Sequence, residues 1–163
     1  MTSKDVLRGN MAVADHTING YLADLKDSDL MIRAVAGMNH IAWQLGHVIS
    51  AERHFAELVS PGSCPALPEG FDEAHSKEAA KGDDPAKFLS LAEYQSLWKT
   101  QRAATLAVLD AVADSDLDKA DPDKYPPYAP TVGALLSLIG LHPLMHAGQF
   151  VAVRRLLNKP ISM

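Results

Sequence analysis

Apolar residues in this chain of 163 residues recur at steps of three and four, the spacing that places side chains on one face of an α-helix. Segments with this spacing alternate with stretches rich in proline and glycine, which interrupt helices. The pattern predicts four helices, over about residues 6–25, 40–59, 90–112 and 131–158. No segment shows the strict alternation of a half-buried strand, so the sequence predicts an all-α fold.

The residues at the predicted helix ends support these boundaries. Asn39 is expected to cap the second helix, Ser90 begins a Ser-x-x-Glu capping box at the third, and Thr131 can cap the fourth. Four amphipathic helices of this length predict a four-helix bundle in a single domain, residues 1–163. The middle connection, residues 60–89, is too long for a tight turn, so we expect it to cross the bundle.

Composition and charge narrow the classes of partner. Hydrophobic residues make up 47% of the chain and charged residues 21%, values typical of an ordered globular domain. The formal net charge is −5 and the longest basic run is Arg154-Arg155, so we expect no binding to nucleic acid or to an anionic membrane. No run approaches 18 uninterrupted apolar residues, so no membrane span is expected. The single cysteine, Cys64, and the lack of a signal-peptide pattern predict a cytoplasmic location.

A pair of histidines near the C-terminus carries the clearest chemical signal. His142 and His146 are four residues apart in the fourth predicted helix, which places both imidazoles on one face, and the apolar pattern turns that face inward. A buried imidazole needs partners for both ring nitrogens, and one metal ion can satisfy a nitrogen of each ring. The pair alone is equally compatible with two core histidines that bond to the backbone or to each other.

The second predicted helix carries three histidines at intervals of seven residues, His40, His47 and His54. Trp43 and Gln44 lie on the same side, and a polar-flecked face of this kind is typical of a helix edge that lines a cavity. His47 is the third candidate metal ligand. His40 and His54 are expected to be solvent-exposed.

The other polar residues near these histidines have less specific roles. His75 lies in a charged loop and is expected to be exposed. Glu52 and Glu57 are the nearest carboxylates on the second helix; a glutamate could act as a base, but solvated positions are expected for both. Gln149 either orients His146 or a metal-bound water, or is a plain polar residue at the edge of the bundle.

Two motifs resemble the signatures of a known family. Trp43-Gln44-Leu45-Gly46-His47 resembles the W-x-x-x-H motif of the DinB/YfiT-like bundles, and His142-x-x-x-His146-Ala147-Gly148-Gln149 is similar to their H-x-x-x-H-x-G-Q element. Order, spacing and helical context agree over essentially the whole chain. The resemblance implies a DinB/YfiT-like four-helix bundle in which His47, His142 and His146 bind zinc, nickel or iron, with water at an open coordination position.

The same resemblance implies a function, because several relatives are thiol-dependent transferases or isomerases that use bacillithiol or mycothiol. We therefore expect a metal-dependent thiol S-transferase or hydrolase that acts through a bound thiol or water on a small electrophilic substrate. Its cofactors would be a divalent transition metal and a low-molecular-weight thiol, and the resemblance favours a homodimer. The alternatives are a noncatalytic, stress-related bundle that binds a metal or ligand, and a bis-histidine haem or purely structural bundle.

One position departs from the family pattern. Family members often have an acidic residue directly after the first histidine of the pair, where this chain has Pro143. Proline removes the backbone hydrogen bond to Ile139 and is expected to kink the fourth helix. It also excludes the H-E-x-x-H chemistry of zinc peptidases, which needs a glutamate there. Gly133, Gly140 and Gly148 in the same helix predict close approach of another helix or of a second subunit.

Overall fold

The computed structural model of the protein describes residues 1–161; the last two residues of the predicted domain, 1–163, lie outside the described residues. Within the described residues the chain forms five α-helices: α1 (Ser3–Leu22), α2 (Ile41–Val59), α3 (Phe71–Ala74), α4 (Leu91–Ala111) and α5 (Val132–Leu156). Residues 1–161 contain no strand, only an isolated bridge between Ala120 and Thr131. The all-α prediction is confirmed, and α1, α2, α4 and α5 are the four predicted helices.

Side-chain caps set the first residue of the long helices. Thr2 and Asp5 form a capping box, so α1 begins three residues before its predicted start. The predicted cap Ser90 is confirmed as part of a capping box, and the Thr131 hydroxyl accepts a hydrogen bond from the backbone N–H of Ala134. Short polar side chains therefore fix the starts of α1, α4 and α5.

The cap of α2 is His40, which corrects two expectations. The His40 Nδ1 accepts a hydrogen bond from the Trp43 backbone N–H at 3.0 Å, so Asn39 is not the cap. The His40 Nε2–H donates to the Gly82 carbonyl at 3.0 Å, and the side chain is completely buried rather than solvent-exposed. An imidazole can replace the usual capping oxygen because it has one acceptor and one donor nitrogen.

The long connection between α2 and α4 determines the topology of the bundle. It runs back along α2, because Ser50 Oγ donates to Asp72 Oδ1 at 2.6 Å and, farther on, Trp43 Nε1 donates to the Ser76 carbonyl at 2.9 Å. As predicted, the connection crosses the bundle, and α4 begins at the same end as α2 and runs parallel to it. The four-residue α3 within it was not predicted, since it is too short to show helical periodicity.

Contacts between α1 and α5 show that these two helices run parallel to each other, and the ion pair of Arg8 on α1 with Asp110 near the end of α4 shows that both run opposite to α2 and α4. The Asn10 region of α1 packs against Gly140, where an added Cβ would lie 3.1 Å from the Asn10 Cβ. At the far ends of both helices, Arg154 donates to the Asp24 carboxylate at 2.6 Å. The close approach predicted from Gly140 is therefore confirmed, and α1 is the neighbouring helix.

The other breaking residues of α5 have different surroundings. Pro143 is buried and lies inside α5 without ending it. An added Cβ at Gly133 would lie 3.1 Å from the Leu117 carbonyl oxygen, so a loop rather than a helix approaches there. Gly148 has nothing within 4 Å of that position, so no described part of this chain packs closely there, and the alternative of a second subunit stays a prediction.

Two apolar clusters fill the bundle. One contains Ile49 and Phe150 and lies at the end where α2 and α4 begin, while the other contains Leu109 and Leu136 and lies at the opposite end. Burying each such side chain contributes about 1.5–3 kcal/mol to stability. On α5, the two candidate histidines fall between the last residue of the second cluster and the first of the other.

A buried charge cluster joins three of the long helices. Glu52 on α2 is 3% exposed, and its Oε2 lies 3.1 Å from Arg102 Nη2 on α4, while its Oε1 accepts a hydrogen bond from Thr105 at 2.8 Å. Arg102 also donates through Nε to Asp15 of α1 at 3.0 Å. Burial raises the pKa of Glu52 to about 7. The expectation that Glu52 is solvated is wrong, because its side of α2 faces α4.

By length and composition, α5 could cross a membrane. It has 25 residues, and its most apolar 18-residue window has a mean hydropathy of 1.3. Inside the bundle, 44% of that window is buried. Core helices of soluble proteins have the same properties because they are apolar on several sides. α5 packs against both α1 and α2, as a core helix does. Its length and composition are therefore only weak support for a membrane span.

The charge cluster gives a test of the fold. Arg102→Met is expected to lower the free energy of unfolding by about 3–5 kcal/mol at pH 8, because Glu52 stays buried without its counter-charge. Urea denaturation measures the difference. The matched control is Arg8→Met, which removes an exposed ion pair with Asp110 and should have a much smaller effect. Equal losses in the two variants would contradict the account.

Candidate metal centre

The antiparallel packing of α2 and α5 brings the three predicted histidines together. His47 of α2 faces His142 and His146 of α5, and one ring nitrogen from each lies within 4.8 Å of the other two. The ring centroids of His47 are 5.3 Å from those of both partners, and the centroids of the α5 pair are 4.8 Å apart. The predicted convergence is present. The role of the three side chains as metal ligands stays a prediction.

The spacing of the nitrogens fits a divalent transition metal. His146 Nε2 and His142 Nε2 are 3.1 Å apart. Two imidazole nitrogens bound to tetrahedral zinc at roughly 2.0–2.1 Å would be separated by roughly 3.3–3.4 Å. The pair therefore needs little movement to share an ion. The His47 nitrogen, which lies within 4.8 Å of the other two, has to move closer to bind the same ion. Three imidazoles are also a ligand set suited to zinc, nickel, copper and iron.

Gln44 fixes which nitrogen of His146 is free to bind. The Gln44 Nε2 donates to the Asn39 carbonyl at 2.6 Å, which turns its Oε1 toward α5. That oxygen accepts a hydrogen bond from His146 Nδ1–H at 3.1 Å. The proton therefore lies on Nδ1, and the lone pair of Nε2 points toward His142. A hydrogen bond of this kind orients a metal-ligating histidine and raises its basicity.

Gln44, not Gln149, is the glutamine that contacts His146. Both nitrogens of His146 face other side chains, Gln44 and His142, so Gln149 does not orient it. Gln149 is half-buried, which matches the alternative of a polar residue at the edge of the bundle. The sequence signal for Gln44 was its position on the same side of α2 as His47, within the recognised motif.

Trp43 orients the ring of His47. The two rings are stacked, with centroids 4.9 Å apart and planes only 6° from parallel. Trp43 is itself buried and held at its indole N–H by the Ser76 carbonyl. The stacking therefore restrains rotation of the His47 ring.

All three imidazoles are held in the neutral form that metal binding requires. Burial lowers the pKa of His142 to about 4 and that of His146 to about 3. Burial, and then the charge of Lys77, lowers the pKa of His47. At neutral pH the site therefore needs to release no imidazole protons when a metal binds.

His75 is a buried residue beside the site, although the sequence placed it in an exposed loop. It is 3% exposed, and its Nδ1–H donates to the Phe71 carbonyl at 2.7 Å. Its Nε2 accepts a hydrogen bond from the Tyr94 hydroxyl, also at 2.7 Å. The ring packs on Gly46, where an added Cβ would lie 2.0 Å from His75 Cδ2. A glycine in mid-helix, costly by about 1 kcal/mol, was the available signal for this contact.

The remaining candidates lie away from the centre. His54 is exposed, as expected. Glu57 accepts hydrogen bonds from the backbone N–H groups of Gly62 and Cys64, which turns its carboxylate toward the loop after α2. Burial raises the pKa of the Cys64 thiol, so this residue has no sign of a reactive thiolate.

The fold and the site together define a class of protein: a helical bundle in which two antiparallel helices bring three histidines to one point. The chain belongs to the DinB superfamily, whose family model matches residues 13–150. A crystal structure of a conserved protein from Enterococcus faecalis has the same fold, with a TM-score of 0.72 and 15% identity. The similarity covers 98% of this chain and 99% of that chain. No curated protein matches the sequence.

The contact between Gly46 and His75 gives a second test. Gly46→Ala is expected to lower the free energy of unfolding by about 1–3 kcal/mol, because the new methyl group overlaps the imidazole. In a His75→Ala background the same substitution should have no such cost, and thermal or urea unfolding of the four variants measures the coupling.

Gly9→Ala is the matched control, since Gly9 is exposed inside α1 with nothing within 4 Å of an added Cβ. That change should stabilise the protein by about 1 kcal/mol through helix propensity alone. A destabilisation by Gly46→Ala that is the same with and without the His75 ring would show that the ring is not the cause.

Proposed function

We propose that this protein binds a divalent transition metal, zinc, nickel or iron, through His47, His142 and His146. The observation that carries the proposal is the convergence of three neutral imidazole nitrogens within 4.8 Å of one another. The Gln44 hydrogen bond to His146 supports it, since it directs a lone pair to the shared point. A pair of ordinary core histidines would not need the third ring.

We propose further that the protein is a metal-dependent enzyme that acts on a small electrophilic substrate, as a thiol S-transferase or hydrolase. When bound, such an ion supplies Lewis-acid chemistry, which lowers the pKa of a thiol or water at an open coordination position. The histidines contribute no charge of their own, so they leave the positive charge of the site available to an anion. Membership of the DinB superfamily is compatible with this chemistry.

A cleft beside His47 provides space for a substrate. It has a volume of about 330 Å³ and lies between α2 and the connection that follows it, with His47, Ser50, Asp72 and Lys77 in its lining. Pockets for small molecules begin at about this size. Neither Glu52 nor the other glutamate considered from sequence lines the cleft.

The second candidate function is a noncatalytic, stress-related bundle that binds a metal or ligand at the same residues. The observation that favours it is the direction of the two glutamates: Glu52 pairs with Arg102, and Glu57 caps a loop. Neither is placed to act as a base toward a thiol or water bound at the three histidines. The haem alternative has less support, because it uses His47 and His142 but leaves unused a His146 nitrogen only 3.1 Å from its neighbour.

We also propose that the protein is a cytoplasmic homodimer. On α5, Leu141 and Met145 are 49% and 62% exposed, and Gly148 follows about one turn later with open space around it. These residues lie on one side of the helix and offer an apolar strip for the same helix of a second copy. The single free cysteine is compatible with a reducing compartment.

Metal analysis tests the proposed function directly. Untagged protein, purified without added metal and then reconstituted with zinc, should hold about one equivalent by plasma mass spectrometry, as expected for a three-histidine site. His142→Ala/His146→Ala should lose it. Gln44→Leu should keep the site but weaken its affinity by about 10–100-fold, because the orienting hydrogen bond is gone.

His54→Ala is the control for this experiment, since it removes an exposed histidine from the same helix and should leave the metal content unchanged. No metal in the native protein after reconstitution, or equal content in the double variant, would contradict the proposal.

A further inference from the structure

The cleft beside His47 has two walls from different parts of the chain. One is the face of α2 that carries His47, Ser50 and His54, and the other is the segment 72–77, which belongs to the connection between α2 and α4. His47 is the member of the histidine cluster that lines the cleft. A molecule in the cleft is therefore directly beside the candidate metal centre.

The second wall is fixed in place by three contacts. Asp72 accepts a hydrogen bond from Ser50 at 2.6 Å, and the Ser76 carbonyl accepts one from the Trp43 indole at 2.9 Å. Between them, the His75 ring fills the space left by Gly46. The cleft is thus formed before any ligand binds, and Lys77, the residue after Ser76, has a defined backbone position relative to the centre.

The charged groups of the cleft are not equally available. Asp72 is engaged by the Ser50 hydroxyl. Arg53 donates to the Pro65 carbonyl at 3.1 Å, at the end of the cleft away from the histidines. Lys77 is exposed and has no ion-pair partner within residues 1–161. It lines the cleft together with His47.

We propose that the cleft binds a small molecule that carries a carboxylate, and that the Lys77 ammonium binds this carboxylate while the rest of the molecule extends to the histidine centre. The inference rests on the proposed metal function and adds the charge class of the ligand. The lining of the cleft carries two cations, Arg53 and Lys77, and one carboxylate, Asp72, so its net charge is positive, and a divalent cation at the histidines would add to it. A positive potential selects anions. A lysine suits a single carboxylate because it acts as a point charge.

Cobalt-substituted protein gives the test, because a ligand that reaches the ion changes its visible spectrum. The probes are three thiols that differ in the charge of the tail: 3-mercaptopropionate, 2-mercaptoethanol and cysteamine. The wild-type protein is expected to bind 3-mercaptopropionate about tenfold more tightly than 2-mercaptoethanol, the factor expected from one partly exposed charge contact. Lys77→Gln should remove this preference, and Lys77→Glu should shift it toward cysteamine.

Ratios between variants are compared, so the different acidities of the thiols cancel. Lys81→Gln is the matched control, since Lys81 is exposed on the same connection but does not line the cleft, and it should keep the wild-type ratio. A cobalt spectrum that responds to thiols with the same ratio in wild type and Lys77→Gln would overturn the carboxylate site alone. No cobalt spectrum in the native protein would overturn the proposed metal function, and this inference with it.

Discussion

The packing of three uncharged imidazoles, one buried and two half-buried, between α2 and α5 is the constraint on which the rest of the site depends. Each buried ring needs a partner for both nitrogens, and at His146 these partners are Gln44 and His142. Gln44 Oε1 accepts the hydrogen bond from His146 Nδ1–H. It faces His146 because Nε2 of the same amide donates to the Asn39 carbonyl just before α2. One chain of hydrogen bonds therefore runs from the residue before α2 through Gln44 to His146, and it fixes both the tautomer of His146 and the shape of the centre. Because the centre lies between the two apolar clusters, their packing sets the separation of the two helices.

The connection between α2 and α4 links this centre to the topology. By returning along α2, it makes α4 parallel to α2 and covers the face that carries Trp43 and Gly46. The same segment therefore does three things: it buries His75, holds the indole that orients His47, and forms one wall of the cleft. A short turn between α2 and α4 could do none of these. This gives a physical reason for a connection of unusual length in a small bundle.

The sequence was sufficient for the helices and for the common face of His142 and His146, because both follow from periodicity within a single segment. The place of His47 beside them was predicted from the resemblance of two motifs to a family pattern. The spacing of His142 and His146 determines their common face whatever surrounds them. The burial of His75 and Glu52 could not be predicted in the same way, since it depends on contacts with residues remote in sequence. His75 is buried by Gly46 and Tyr94, and Glu52 by Arg102. Periodicity places a residue on a face of its own helix, but it does not say which distant side chain meets that face.

The central claim is that His47, His142 and His146 share one metal ion, and X-ray absorption spectroscopy of the zinc-reconstituted protein tests it most directly. The account predicts a coordination shell with three imidazole nitrogens at roughly 2.0–2.1 Å and no sulfur. A shell with a single imidazole, or with a sulfur from Cys64 at roughly 2.3 Å, would contradict it.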